Sequence, residues 1–240
     1  MVKITALLPM KGHSERIPNK NMRLFYGRPL YYQIIEALSS SNYISDIVIN
    51  TDSPVIAENA IRHFDQIKIL NRPKELQGDF IPMNDIIAHD LSQLNGEHFL
   101  QTHSTNPLLT TTTIEKAINS YFKNLYQYDS LFSVTRLQSR LYWKDARSIN
   151  HDPQKLLRTQ DLSPLFEENS NLYIFSKGSF KRAGNNRIGL KTQMFEIDKF
   201  EAIDIDEERD FKLAEILYQM SHAQKERVKI DQRSKRYQCL

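Results

Sequence analysis

An apolar run, Ile4 to Leu8, breaks at Pro9 into a polar loop, Lys11-Gly12-His13-Ser14-Glu15-Arg16-Ile17-Pro18-Asn19-Lys20-Asn21, and no other stretch restricts the fold as much. Such a run has the length of a short buried strand, and Pro9 has no N–H with which to extend a ladder. A loop at the carboxyl end of a first parallel strand is the usual seat of a nucleotide in an α/β sheet. Lys11, Arg16, Lys20 and Arg23 put four cations within thirteen residues. They repel one another unless an anion or solvent offsets them, and a triphosphate is the natural anion. A solvated basic loop is the plainer alternative. Its position after a strand, and a second constellation near the other end of the chain, weigh against that alternative.

The second constellation is Ala202-Ile203-Asp204-Ile205-Asp206-Glu207-Glu208-Arg209-Asp210. Apolar and acidic residues alternate, so a strand over Ala202–Ile205 turns Asp204 and Asp206 to one face, where their charges repel. A hard divalent cation relieves that repulsion, and Mg²⁺ is commonly held by one or two carboxylates plus substrate phosphates. A solvent-facing strand edge is the alternative. Loop and aspartate pair together point to metal-assisted chemistry on a nucleoside triphosphate.

On these residues the chain resembles the acylneuraminate cytidylyltransferase (CMP-N-acetylneuraminic acid synthetase) family. Lys11, Ser14, Pro18, Lys20 and Asn21 are similar to that family's amino-terminal signature. Arg72-Pro73-x-Glu75-Leu76-x-x-Asp79 is similar to its base-binding segment, Asp204-x-Asp206 to its metal pair, and Asn169-x-x-x-Tyr173-Ile174 to a segment near the sugar. The matches run from about residue 4 to 211, and their order and spacing make them specific together. The resemblance implies an α/β chain with the Rossmann-like three-layer nucleotide-diphospho-sugar transferase fold and a mainly parallel central sheet. It implies CTP and an acidic sugar as substrates, Mg²⁺ as cofactor, pyrophosphate as product and a homodimer. It gives the nucleotide to Lys11, Gly12, Ser14, Asn21, Arg72 and Asp79, with Arg72 on the cytosine. It gives the chemistry to Lys11, Arg16, Lys20 and Asp206, the metal to Asp204 and Asp206, and the sugar to Gln101 and Asn169.

At 240 residues the chain suits one nucleotidyltransferase domain, 1–240, with an excursion at about 136–168 that the resemblance assigns to a dimer contact. A near balance of 32 Lys+Arg against 29 Asp+Glu argues against a nucleic-acid partner gripped by bulk charge. The first apolar run is too short to span a membrane, and no signal-peptide pattern follows it. Cys239, the single cysteine, excludes an intrachain disulfide and fits a cytoplasmic location. No Walker or Gly-x-Gly-x-x-Gly pattern and no zinc-spaced Cys/His cluster occurs.

Periodicity predicts helices from Pro29 to about Ser40, after Ser53-Pro54, over Asn84–Leu94, over Thr113–Leu125 and over Glu207–Met220. Strands are predicted at Asp46–Asn50, Ile67–Leu70, Glu97–Gln101, Ser130–Val134, Leu172–Phe175 and Met194–Ile197. Ser53 is the expected N-cap and Pro54 the first helical residue. Asp52 suits a turn or cap better than a second acidic ligand. Arg72 has local pairing with Glu75 as its structural alternative. The tail after Ser221 is polar and basic, the composition of a frayed, solvated terminus.

The chain departs from the family pattern in four places. Lys11 stands where the family often has Arg, giving a point charge in place of a fork. Phe80-Ile81-Pro82-Met83 follows Asp79 where small hydroxylated residues are usual. The loop after Gln101 carries two extra residues, including His103, an acid/base candidate outweighed by an incidental loop histidine. Glu167 and Glu168 precede Asn169 where the family often has a cation, so Arg158 or Arg187 must meet an acidic sugar, or the sugar is not the usual acid. Rival readings are transfer of another nucleotide to a neutral sugar phosphate, and a nucleotide-binding protein without catalysis.

Overall fold

The computed structural model describes residues 2–221. The first half comprises β1 (Ile4–Leu7), a small hairpin of β2 (Leu24–Phe25) and β3 (Arg28–Pro29), α1 (Tyr32–Ser39), β4 (Ile44–Thr51), α2 (Pro54–His63) and β5 (Ile67–Asn71). Then come α3 (Met83–Gln93), β6 (His98–Gln101), α4 (Thr111–Lys123), β7 (Ser130–Leu137), β8 (Leu165–Ser176), α5 (Lys177–Arg182) and β9 (Thr192–Glu196). A last helix, α6, covers residues 208–221.

Seven strands form one sheet in the order β5-β4-β1-β6-β8-β7-β9. Six share a direction and β8 opposes them, pairing antiparallel with β6 and β7. Side chains alternate between two cores. Ala6, Ile47, Ile49, Leu100 and Ile174 face α1, α2 and α4; Leu7, Val48, Phe99, Tyr173 and Phe175 face α3 and α5. Helices on both faces explain why the central strands are apolar at almost every position. The expected three-layer α/β architecture is present, and the carboxyl ends of β1, β4, β5 and β6 meet along one edge.

Three expectations need correction. The first helix begins at Tyr32, because Pro29 pairs with Leu24 across a turn in which Tyr26 and Gly27 take φ of 50° and 82°. The excursion is shorter than 136–168: β7 and β8 stay paired out to Leu137↔Leu165, so it covers 138–164. Ala202–Ile205 is not a strand. The Ala202 N–H turns back to the Asp198 carbonyl (3.0 Å), and the Ile205 N–H bonds Thr105 O (2.9 Å) in a loop. The physical reason is a third apolar cluster, in which Ile205 packs with Ile17, Phe25, Leu30, Phe211 and Ala214 away from the sheet. The basic tail and Cys239 lie outside the described residues. Among those residues no helix is long and apolar enough to cross a membrane.

A polar peg crosses the α3 face of the sheet. Arg72, leaving β5, donates from Nε to Asn50 Oδ1 (2.7 Å) and from Nη2 to Asn50 O (3.0 Å), and Asn50 Nδ2 donates to Asp90 Oδ1 (2.5 Å) on α3. All three side chains are buried. Arg72 therefore pairs with Asn50, not with Glu75. Burial raises the Asp90 carboxyl above its usual range, although Asn50, His89 and Arg72 pull it down. A carboxyl raised on folding binds its proton more tightly in the folded state, so stability declines as pH climbs from about 4 through the raised value. Asp90→Asn keeps an acceptor for Asn50 and removes that slope; urea midpoints between about pH 4 and 8 should be flatter than wild type.

Candidate active site

The cationic loop leaves β1 and is shaped by two local devices. Asn19 adopts a left-handed conformation (φ 54°), which asparagine tolerates, and starts a 3₁₀ turn over Lys20–Met22. That turn aims Lys20 Nζ at Ile205 O (2.5 Å), and Asn21 Nδ2 back at Lys11 O (2.9 Å). Ser104, from the loop after β6, donates to Asn21 Oδ1 (2.6 Å). Asn21 thus braces the loop internally. At the other end, Gly12 N–H donates to Asp52 Oδ1 (2.6 Å), just past β4. A Cβ on Gly12 would lie 2.8 Å from Ser53 Cβ, so glycine is required by close approach. Ser53 caps α2 as expected, with Pro54 at its first turn. Asp52 is neither a free ligand nor a helix cap; it anchors the loop.

Each loop cation has a carboxylate partner within the chain. Lys11 pairs with Asp79, Arg16 with Asp206 (2.7 Å), Lys20 with Asp206 (3.7 Å), and Arg23 with Glu208. The loop therefore bridges the segment after β5 on one side and the segment before α6 on the other. Lys11 holds the Asp79 carboxyl below its usual range. Burial lowers Lys20, while Asp204 and Asp206 oppose that shift. Asp204 is raised by burial and by the Asp206 charge, against Thr105, Lys20 and Arg16. Its Oδ1 is buried with no hydrogen-bond partner among the described residues.

On the sugar side of the resemblance, the structure brings Gln101, Asn169 and Arg187 toward the same edge. β6 and β8 pair Gln101 with Tyr173. Arg187 Nη1 donates to Gln101 Oε1 (2.5 Å), and its guanidinium lies 3.6 Å over the Tyr173 ring. Asn169 sits where register jumps from Phe132↔Tyr173 to Val134↔Glu168. It accepts from Ser133 Oγ (2.6 Å) and donates to Thr135 Oγ1 (2.9 Å), and Ser170 beside it takes φ 58°. Asn169 therefore pins a bulge, which turns Glu168 and Ser170 toward the Tyr173 hydroxyl. Glu168, Asn169 and Asp204 line one cavity of about 750 Å³. Arg158 is not brought there: it is exposed on the excursion and paired with Asp161 (2.7 Å). Ser14 lies on the loop, partly exposed. Arg72 lies in the peg beneath the edge. Asn50, Ser104 and Thr105 belong to no spaced motif and could not be found from sequence.

A cationic loop in contact with an aspartate pair, beside the carboxyl edge of a mainly parallel sheet, is the arrangement of a nucleotidyltransferase. The family model described as Cytidylyltransferase matches residues 5–230, and the chain belongs to that family. It is 28% identical over 239 residues to an N-acylneuraminate cytidylyltransferase of Escherichia coli O18:K1:H7, covering 93% of this chain but 54% of that protein. The chain thus spans about half the length of that relative. It is 24% identical over 234 residues to a pseudaminic acid cytidylyltransferase of Campylobacter jejuni, covering 92% of this chain and 98% of that one. The structure is similar to that of a CMP:2-keto-3-deoxy-manno-octonic acid synthetase complexed with CTP, with a TM-score of 0.68, 10% identity, and coverage of 91% and 99% of the two chains.

Gly12→Ala should push the loop off Ser53 and break the Gly12–Asp52 bond. Nucleotide affinity should drop roughly tenfold, about 1.4 kcal/mol, in a titration calorimetry comparison, while the far-ultraviolet spectrum stays that of wild type.

Proposed function

We propose that this chain transfers CMP from CTP to a 2-keto sugar acid of the sialic acid type and releases pyrophosphate. The observation that carries this reading is the cationic loop held against Asp206, two residues from Asp204, in a member of the cytidylyltransferase family. The names of its relatives, N-acylneuraminate and pseudaminic acid cytidylyltransferases, support a sugar acid as acceptor.

In this reading Lys11, Arg16 and Lys20 exchange their carboxylate partners for triphosphate oxygens. Gly12, Ser14 and the Asn21-braced backbone hold the nucleotide, and Asp79 and Arg72 bound the base side. Gln101, Asn169 and Arg187 hold the sugar. The acceptor hydroxyl oxygen bonds to the α-phosphorus of CTP, the bond to the bridging oxygen breaks with its electron pair going to pyrophosphate, and the hydroxyl proton passes to solvent. Such transfers depend on positioning and charge stabilisation more than on covalent help from the protein.

The aspartate pair fits Mg²⁺. Asp204 offers a buried oxygen with no partner among the described residues, and Asp206 lies two residues away. No group of three or more His, Cys, Asp or Glu suited to a metal occurs among those residues, and Mg²⁺ commonly takes its remaining ligands from substrate phosphates and water. Asp204 and Asp206 would hold it, and the ion supplies charge neutralisation and a lower pKa for the acceptor hydroxyl. The same reading has the chain working in the cytoplasm as a homodimer through the excursion, which exposes Tyr142, Trp143, Leu156 and Leu157.

Thermal unfolding with each ribonucleoside triphosphate, with and without Mg²⁺, tests the reading. CTP with Mg²⁺ at about a hundred times its Kd should add about 2.7 kcal/mol, and equal shifts for all four would overturn pyrimidine choice. Asp206→Ala, at a half-exposed position, should leave the melting temperature near wild type and cut pyrophosphate release by roughly two orders of magnitude. Unchanged turnover would remove the metal assignment.

A further inference from the structure

The loop after β6 carries three consecutive polar residues whose partners lie in both halves of the site. Ser104 and Asn106 are buried, and Thr105 between them is half-buried. Buried polar groups need hydrogen-bond partners, and these residues find theirs far away in sequence. The Ser104 hydroxyl donates to Asn21 Oδ1 (2.6 Å), and Asn21 Nδ2 donates to Lys11 O (2.9 Å), so Ser104 reaches the cationic loop. Thr105 O accepts from the Ile205 N–H (2.9 Å), and Asn106 Nδ2 donates to Ile203 O (3.4 Å). Those two contacts fall on the peptide units on either side of Asp204. The Thr105 side chain also acts on the Asp204 carboxylate as a hydrogen-bond partner. The tripeptide is itself anchored: before it the Thr102 N–H bonds Leu7 O on β1 (3.1 Å), and after it the Leu109 N–H bonds Asn106 O (3.4 Å).

Two kinds of contact thus bring the aspartates to the cationic loop, and they do different things. Burial of Ile17 and Ile205 in one apolar cluster is non-directional and sets proximity. Hydrogen bonds are directional. Bonds on both peptide units of one residue leave its backbone little freedom to rotate, and so fix the direction in which its side chain leaves. For a metal ligand that direction matters, because Mg²⁺ demands near-octahedral geometry at about 2.0–2.1 Å. Groups that orient a ligand commonly govern metal affinity by roughly 10- to 100-fold. We propose that Thr105 and Asn106 are positioning residues that hold Asp204 in the orientation a divalent cation requires, and that Ser104 ties this arrangement to the cationic loop. They act through Asp204 and Asn21, not on the reacting atoms. The loop that departs from the family pattern after Gln101 is thereby the one that joins the two constellations found in the sequence.

The proposal rests on the metal assignment of the proposed function, and one set of binding measurements separates the two. Mn²⁺, a paramagnetic stand-in for Mg²⁺, is titrated by electron paramagnetic resonance into protein saturated with α,β-methylene-CTP, which cannot release pyrophosphate. Affinity for the analogue is measured separately in EDTA by calorimetry. Thr105→Val and Asn106→Leu should each weaken Mn²⁺ binding roughly tenfold or more and leave analogue affinity in EDTA within about twofold. Thr105→Ser, which keeps the hydroxyl, should bind Mn²⁺ as wild type does. Ser104→Ala should weaken the analogue in EDTA as well as Mn²⁺. In an Asp204→Asn background, Thr105→Val should cost nothing further, because its effect passes through that carboxylate. Asn106 is fully buried, so the half-buried Thr105 carries the test should Asn106→Leu misfold. A Thr105→Val protein that binds Mn²⁺ as wild type does, or that loses both affinities alike, would overturn the positioning role while the metal assignment stands. If wild type takes up no Mn²⁺ beyond that held by the analogue alone, the metal assignment fails and the proposal with it.

Discussion

The candidate site is assembled because two segments nearly two hundred residues apart are fastened to each other. Ile17, inside the cationic loop, and Ile205, between the two aspartates, are buried in one apolar cluster with Phe25 and Phe211. Burial of each isoleucine is worth about 1.5–3 kcal/mol, far more than any surface ion pair in the loop. Around this apolar joint the polar contacts fall into line: Lys20 on the Ile205 carbonyl, Arg16 on Asp206, and Arg23 stacked over Phe211 while paired with Glu208. The loop's cations are held in register with the aspartates by hydrophobic contact, and the site's geometry is inherited from that joint.

The sheet supplies the other half of the frame. Because β8 runs against its neighbours, the first of its residues to pair with β6, Tyr173, lies opposite Gln101 at the carboxyl end of β6. The bulge pinned by Asn169 interrupts this strand, so one part of it is core and the part before it forms a cavity wall. A straight ladder would have put Glu168 and Ser170 together on the face opposite Tyr173, away from its hydroxyl.

Most strands and helices were legible because both faces of the sheet are covered, so apolar runs and amphipathic periods stand out against polar loops. The site motifs were legible as residue types at a spacing, and the structure gathers most of them on one edge. The alternating Ala202–Ile205 run misled, because alternation reports only that every second residue is buried; here Ile203 and Ile205 are packed against a helix and a loop, with no strand alongside. Arg72 has the fork suited to a base edge, yet the pairing that fixes it, with Asn50, depends on parallel strands whose register no local pattern encodes. Ser104 and Asn50 depend likewise on long-range contacts. The charge argument for the loop needs the largest revision: its cations do not wait for an anion, since carboxylates of the chain already accompany them.

That internal pairing has an electrostatic consequence. With Lys11 on Asp79, Arg23 on Glu208, and Arg16 and Lys20 sharing Asp206, most of the loop's positive charge is already offset despite its composition. Long-range attraction of a polyanion scales with net local charge, not with the number of basic residues, and is screened over about 8 Å at physiological ionic strength. In the proposed reaction, ligand capture by the loop is therefore an exchange of short-range partners, only weakly sensitive to added salt. Its selectivity rests on which oxygens can replace the carboxylates at the distances the loop already enforces.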